Sequence, residues 1–370
     1  MDRLKRLYQF GQSPWYDNID RRLIDSGELK GLFDMGVMGV TSNPTIFEKA
    51  INGSCVYDAK IHDLRARGVE VDVIYDELTA DDVRDAADML LSVYESTKGM
   101  DGYVSIEVLP IYANDAVKTV EYARYILRKI NRKNIMIKVP ATSESRKAIR
   151  TLTREGINVN ATLIFSASQY EHVAASYLEG LWDRLQDNKD ISSIFSVASV
   201  FVSRIDTKAD QIIDALCQRM NDYGRRENFY NLKGKIAVAN CKMLYQNFKE
   251  IFSERNFGAL KAKGANMQRP LWASTSTKNF SYSDLLYVDN LIGPFTVNTM
   301  PHQTLLAFAD HGRPFLTLES ELEKAKGILI MFKEMGVNFD ALCEEALSSG
   351  VGAFQCSFDA IIESIKKKVG

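Results

Sequence analysis

Histidine and cysteine are scarce in this chain, four and five residues among 370. His62, His172, His302 and His311 fall at no metal-ligand spacing. Cys55, Cys217, Cys241, Cys343 and Cys356 are scattered without pairs. That pattern argues against a metal centre and a disulfide framework, and fits the reducing cytoplasm. No apolar run approaches the length of a membrane span, so no membrane partner is expected. Met1–Phe10 carries mixed charge around no apolar centre and does not read as a signal peptide. Excess charge is missing too: 46 basic residues face 48 acidic ones, a formal net charge of -2. Without a basic stripe interleaved with aromatics, nucleic acid is not an expected partner. Lys366-Lys367-Lys368 reads as a helix end complementing its dipole. No GxGxxG follows a strand, and no glycine-rich phosphate cup accompanies an aromatic stacking pair, so no organic cofactor is expected. Linkers, repeats and low-complexity tracts are absent, and residues 1–370 read as one domain.

What remains is a recurring alternation. Short apolar runs at Pro14–Ile19, Val37–Thr41, Tyr103–Leu109, Asn134–Val139, Asn160–Phe165, Phe195–Val202, Pro270–Ser274 and Thr296–Thr299 read as strands. They lack strict polar alternation, as strands buried on both faces do. Helical patterns separate most of them. One runs from Thr79 to Thr97, one ends at Glu155-Gly156, and one starts at Ser166, where Ser166 and Gln169 have capping-box spacing. Eight strands alternating with helices predict a closed parallel (β/α)₈ barrel, an α/β fold of the TIM type. Pro44 to Met100 is too long for one helix and predicts extra helices after the second strand. After His311 the pattern turns helical over Leu318–Met335, Phe339–Leu347 and Cys356–Val369. Residues 313–370 therefore predict a helical extension packed on the barrel, with the barrel mouth as a surface for it to cover.

Barrel chemistry gathers at the C-terminal ends of strands. There the chain places Asp17, Asn43, Glu107, Lys138, Asn160 with Thr162, Ser199 with Phe201 and Arg204, and Ser274 with Lys278; Asp17, Glu107, Asn160 and Thr162 are polar residues inside otherwise apolar runs. Lys138 closes the run Asn134–Lys138. An ammonium at the end of a buried strand is costly to desolvate unless it is paired or neutralised. A neutral amine in a dry pocket is a nucleophile toward carbonyls, which points to Schiff-base chemistry. Any one of these polar residues has a structural explanation; gathered around one lysine they form an inward-facing constellation.

Gly39-Val40-Thr41-Ser42-Asn43-Pro44-Thr45-Ile46-Phe47 resembles the N-terminal signature of transaldolases. Ile137-Lys138-Val139-Pro140-Ala141-Thr142 and Glu155–Leu163 resemble their Schiff-base lysine region and the strand that follows it. The resemblance continues through Arg269–Thr275 and Thr296–Pro301, covers nearly the whole chain, and is strongest to the longer bacterial branch with an extended helical C-terminus. It implies a class I aldolase-type barrel that moves a dihydroxyacetone unit between sugar phosphates in the non-oxidative pentose phosphate pathway, without metal or organic cofactor.

The resemblance also implies roles. Lys138 is the Schiff-base lysine, Asp17 the acid/base at the C4 hydroxyl, and Glu107 acts through a water held by Thr162. Asn43, Asn160 and Ser199 hold the dihydroxyacetone unit, with Phe201 beside it. Arg204 binds phosphate; a salt bridge to Asp206 is its structural alternative. Many transaldolases place an arginine where this chain has Ser276, so Lys278 is expected to supply that charge with Ser274 and Ser276. The shorter fructose-6-phosphate aldolases, which release free dihydroxyacetone, carry glutamine and tyrosine where Glu107 and Phe201 stand. A non-catalytic sugar-phosphate binder is a further alternative. Monomer and homodimer both stay open.

Overall fold

Burial on both faces is the rule for every strand residue in this protein, and it explains why the runs do not alternate. A computed structural model describes residues 3–369, leaving residues 1, 2 and 370 outside the described chain. Its strands are β1 (Gln12–Tyr16), β2 (Gly39–Thr41), β3 (Tyr103–Glu107), β4 (Ile135–Pro140), β5 (Val159–Ile164), β6 (Ser196–Phe201), β7 (Gln268–Ala273) and β8 (Thr296–Met300). Each pairs in parallel with its sequence neighbours, and β8 closes on β1 as a (β/α)₈ barrel. The register sets Glu107 opposite Lys138, and Lys138 opposite Asn160. Alternate residues of a strand share a face, so this pairing brings three polar side chains to one level of the interior.

The opposite end of the barrel is closed by its own polar network. Arg269 pairs with Asp101 at 3.0 Å, and Asp101 also accepts hydrogen bonds from Ser13 Oγ at 2.8 Å and Trp15 Nε1 at 2.9 Å. These groups are buried and mutually satisfied, which is how a charge pair persists in a barrel floor.

The connection after β2 holds four helices, Pro44–Asn52, Asp58–Ala66, Val71–Met89 and Leu91–Ser96. The helix expected over Thr79–Thr97 thus starts earlier and is interrupted at Leu90. At the helix after β5, Ser166 caps as expected, accepting from Gln169 N–H at 3.1 Å. The Gln169 side chain reaches one residue further back than a capping box, accepting from Phe165 N–H at 2.8 Å.

The C-terminal extension departs from expectation. Leu322–Glu334 forms one helix, but Phe339–Val369 runs unbroken for 31 residues. Ser348-Ser349-Gly350-Val351-Gly352 is weak helix-forming sequence and reads as a break. Tertiary packing overrides it: Gly350 is buried, and a Cβ there would lie 2.8 Å from Leu163 Cδ2 and 3.3 Å from an Arg204 guanidinium nitrogen. Only glycine lets the helix come this close to the end of β5. Further ties are Gln169 to Glu344 at 2.9 Å, Thr45 to Ser357 at 2.9 Å, and Lys368 to the carbonyls of Ile51 and Ser54, each at 3.2 Å. The extension therefore lies across one side of the barrel mouth.

Candidate active site

Lys138 is only 2% exposed and Glu107 only 7%. Their charged atoms stand 3.6 Å apart, an ion pair too long for a hydrogen bond. Lys138 Nζ also donates to the Ser42 carbonyl at 3.1 Å. Burial pushes the Glu107 carboxyl up to about 7, against the opposing pull of Lys138. Here desolvation outweighs the nearby cation, leaving a carboxyl able to give or take a proton near neutral pH. Glu107 Oε2 and Thr162 Oγ1 are both buried without a hydrogen-bond partner among the described residues.

Asp17 follows directly on β1, with its backbone N–H bound to the Met300 carbonyl at 2.9 Å. Its carboxylate accepts from Thr41 Oγ1 at 2.7 Å, and Thr41 in turn meets Thr299 Oγ1 at 2.6 Å. Burial raises the Asp17 pKa, while Lys138 and the Thr41 hydroxyl oppose the shift. Deeper on β5, Asn160 Nδ2 donates to Ser105 Oγ at 3.0 Å and its Oδ1 accepts from Ser199 Oγ at 2.7 Å. Asn160 is thereby locked in one orientation. Asn43 is the N-cap of the Pro44–Asn52 helix, and its Oδ1 accepts from Ile46 N–H at 3.0 Å. With its oxygen so engaged, its amide NH₂ is the group left to face a ligand.

These groups surround a cavity of about 290 Å³ at the C-terminal end of the barrel. Asp17, Asn43, Lys138, Phe201, Arg204, Ser274, Ser276 and Lys278 line it. Glu107, Thr162, Asn160 and Ser199 belong to the buried layer beneath. A larger hollow of about 410 Å³ at the other barrel end is walled by Met136, Phe195, Phe257 and Phe295 and is predominantly apolar. Chemistry is concentrated in the smaller, polar cavity.

Arg204 does not pair with Asp206, whose oxygens instead accept from Ala237 N–H at 2.8 Å and Tyr287 Oη at 3.1 Å. Its guanidinium lies 5.1 Å from the Phe201 ring centre and 5.9 Å from that of Phe354. Two aromatic faces hold the cation while its N–H groups stay unused by any carboxylate among the described residues. Lys278 Nζ donates to Ser276 Oγ at 2.7 Å, and Ser274 Oγ meets Ser203 Oγ at 2.9 Å. Leu163 and Ser274, at φ 58° and 55°, adopt the left-handed backbone unusual for non-glycine residues. Ser274 lines the cavity, where such strain commonly gathers, and Leu163 falls in the register irregularity of β5 against β6.

The chain matches the model of the transaldolase/fructose-6-phosphate aldolase family over residues 14–365. It belongs to that family. A transaldolase of Trichodesmium erythraeum is 44% identical over 369 residues, covering 99% of this chain and 97% of that protein. Transaldolase 2 of Nostoc punctiforme is 42% identical over 370 residues, with 99% and 97% covered. A transaldolase of Thiobacillus denitrificans is 42% identical over 366 residues, with 99% and 100% covered.

For a family member, several parts of the site escaped the sequence reading. Thr41 and Ser105 hold Asp17 and Asn160 by hydroxyls inside strand-like runs, where a hydroxyl gives no signal of its partner, and the Ser42 carbonyl accepts from Lys138. Lys49 and Phe354 also line the cavity. In sequence neither stands out: Lys49 lies in the stretch expected only to hold extra helices, and Phe354 falls between the expected helices Phe339–Leu347 and Cys356–Val369.

Proposed function

We propose that this protein is a transaldolase. It would transfer a dihydroxyacetone unit from sedoheptulose 7-phosphate or fructose 6-phosphate to glyceraldehyde 3-phosphate or erythrose 4-phosphate. The observation that carries this reading is Lys138, buried at the end of β4 beside Glu107, in a cavity shared with Asp17 and Arg204. Full-length similarity to proteins named transaldolase supports it.

The reaction follows from the arrangement. Lys138, as the free amine, attacks the C2 carbonyl of the ketose phosphate and forms a carbinolamine. Glu107, through a water bridged to Thr162, protonates the departing hydroxyl, and loss of water leaves an iminium. The two unpartnered buried oxygens suit such a bridge. Asp17 takes the proton from the C4 hydroxyl, the C3–C4 bond breaks, and its electrons pass into the iminium to give an enamine. The aldose phosphate leaves. The enamine then attacks the acceptor aldehyde, Asp17 returns its proton to the new hydroxyl, and hydrolysis of the iminium frees Lys138. Asn43, Asn160 and Ser199 hold the three-carbon unit meanwhile. Arg204, Ser274, Ser276 and Lys278 face the phosphate.

Glu107 and Phe201 favour transfer over simple cleavage. A phenyl ring at 201 stacks on Arg204 and offers no proton to the enamine, so the intermediate waits for an acceptor. The test is glyceraldehyde 3-phosphate formation from fructose 6-phosphate, coupled to NADH oxidation, with and without erythrose 4-phosphate. Product only with the acceptor is expected. Product without it would make the protein an aldolase, and silence in both would end the catalytic reading.

Among the described residues no helix is long and apolar enough to cross a membrane. A cytoplasmic location belongs to the same proposal, supported by five cysteines without a disulfide. So does action of the chain as one domain, as monomer or homodimer.

A further inference from the structure

Positive charge in the cavity exceeds what the carbonyl chemistry uses. Lys138 and Asp17 are the reacting pair; Lys49, Arg204 and Lys278 remain, with no second carboxylate on the cavity wall. They come from different sides of the mouth. Arg204 follows β6 and Lys278 follows β7, whereas Lys49 sits in the last turn of the Pro44–Asn52 helix after β2. In a ring of eight strands β2 stands opposite β6, so Lys49 and Arg204 reach the cavity from elements that follow opposite strands.

A lysine in the last turn of a helix is ordinarily explained by the helix dipole. Here that explanation is incomplete. The Lys49 side chain makes no hydrogen bond or ion pair among the described residues, and although exposed it borders the cavity. Its charge is felt inside: after burial, Lys49 is the largest cause of the lowered Lys278 pKa, followed by Arg204. Three cations border one space in which Asp17 is the sole carboxylate among the lining residues, and this excess of positive charge suits an anion. A phosphate monoester, close to a dianion at neutral pH, meets that requirement.

We propose that Lys49 is a phosphate ligand of the sugar substrates, closing the anion subsite from the side opposite Arg204 and selecting phosphorylated over unphosphorylated aldoses. The proposal rests on the transaldolase reading for the identity of the sugar, and on the cavity alone for the anion. It also accounts for a site with serine at 276: positive charge arrives from the Pro44–Asn52 helix across the mouth.

Two measurements on the full chain test it. The first compares kcat/KM for glyceraldehyde 3-phosphate with that for unphosphorylated glyceraldehyde as acceptor. Lys49→Met should lower this ratio about tenfold, the loss of one charge-assisted hydrogen bond, while Lys49→Arg keeps most of it. The second titrates inorganic phosphate calorimetrically into each protein without substrate; Lys49→Met should weaken binding by a similar factor. Equal loss on both acceptors would make Lys49 merely structural and overturn the proposal. Phosphate affinity that is unchanged by the substitution, or absent in the unmodified protein, overturns it as well. Should the unmodified protein transfer nothing, the phosphate titration still decides the role of Lys49, and the transaldolase reading alone falls.

Discussion

Replacing Glu107 by glutamine should change the pH dependence of stability as well as of catalysis. Burial raises this carboxyl from 4.5 in the unfolded reference to about 7 in the folded protein. Folding therefore holds the proton more tightly than the unfolded chain does. The contribution of the group is fully present below about pH 4.5 and is lost as pH rises through about 7. A displacement of this size corresponds to roughly 3 kcal/mol at about 1.4 kcal/mol per pH unit, most of it falling between pH 5 and 8. Glutamine keeps the shape and cannot titrate. Urea unfolding of both proteins across that range should show the parent losing stability relative to Glu107→Gln by about this amount. Other raised carboxyls, Asp206 at about 7 and Asp82 at about 6, are common to both proteins and drop out of the difference. Kinetics offer a second reading of the same group. If protonated Glu107 assists water loss from the carbinolamine, kcat/KM falls as pH rises through about 7, and that limb disappears in Glu107→Gln. Parallel stability curves, or the same limb in both proteins, would refute the reasoning.

Lys138→Ala should abolish borohydride trapping of substrate carbon on the protein; trapping at unchanged stoichiometry would move the nucleophile elsewhere. Gly350→Leu should destabilise by about 1–3 kcal/mol through overpacking against Leu163 and also raise KM by disturbing Arg204. Gly352→Leu, where a Cβ meets nothing within 4 Å, should stabilise by about 0.5–1 kcal/mol through helix propensity; thermal melts that fail to separate the two would remove the close-approach account. Truncation after Gly312 should impair turnover and not only solubility, because Phe354 leaves the cavity wall with it; a soluble truncated protein of full activity would show that the extension merely packs.

Strand ends were legible because a closed barrel excludes polar groups from its interior. Asp17, Glu107, Lys138, Asn160 and Thr162 stand out against apolar neighbours, and the parallel register then brings Glu107, Lys138 and Asn160 to one level. The helices after β2 were legible from length alone. Less visible was the logic of single hydroxyls. Thr41 and Ser105 look like ordinary β-strand residues, yet one donates to Asp17 and the other holds Asn160. Their meaning lies in a partner many residues away, which periodicity does not encode.

The C-terminal helix shows why local reading stops where packing begins. Judged by propensity, Ser348–Gly352 should end a helix, since two glycines within three residues cost about 2 kcal/mol relative to alanine. The same glycines carry different loads. Gly352 has open space around it, whereas Gly350 lets the helix descend onto Leu163 and Arg204. That descent brings the Phe354 ring to 5.9 Å from the guanidinium, which the Phe201 ring also approaches, at 5.1 Å. A weak position in the helix is therefore what allows it to reach the site. Arg204, set near two rings and unpaired with Asp206, keeps its donors for a ligand, and a helix that reads as a peripheral extension becomes part of the cavity wall.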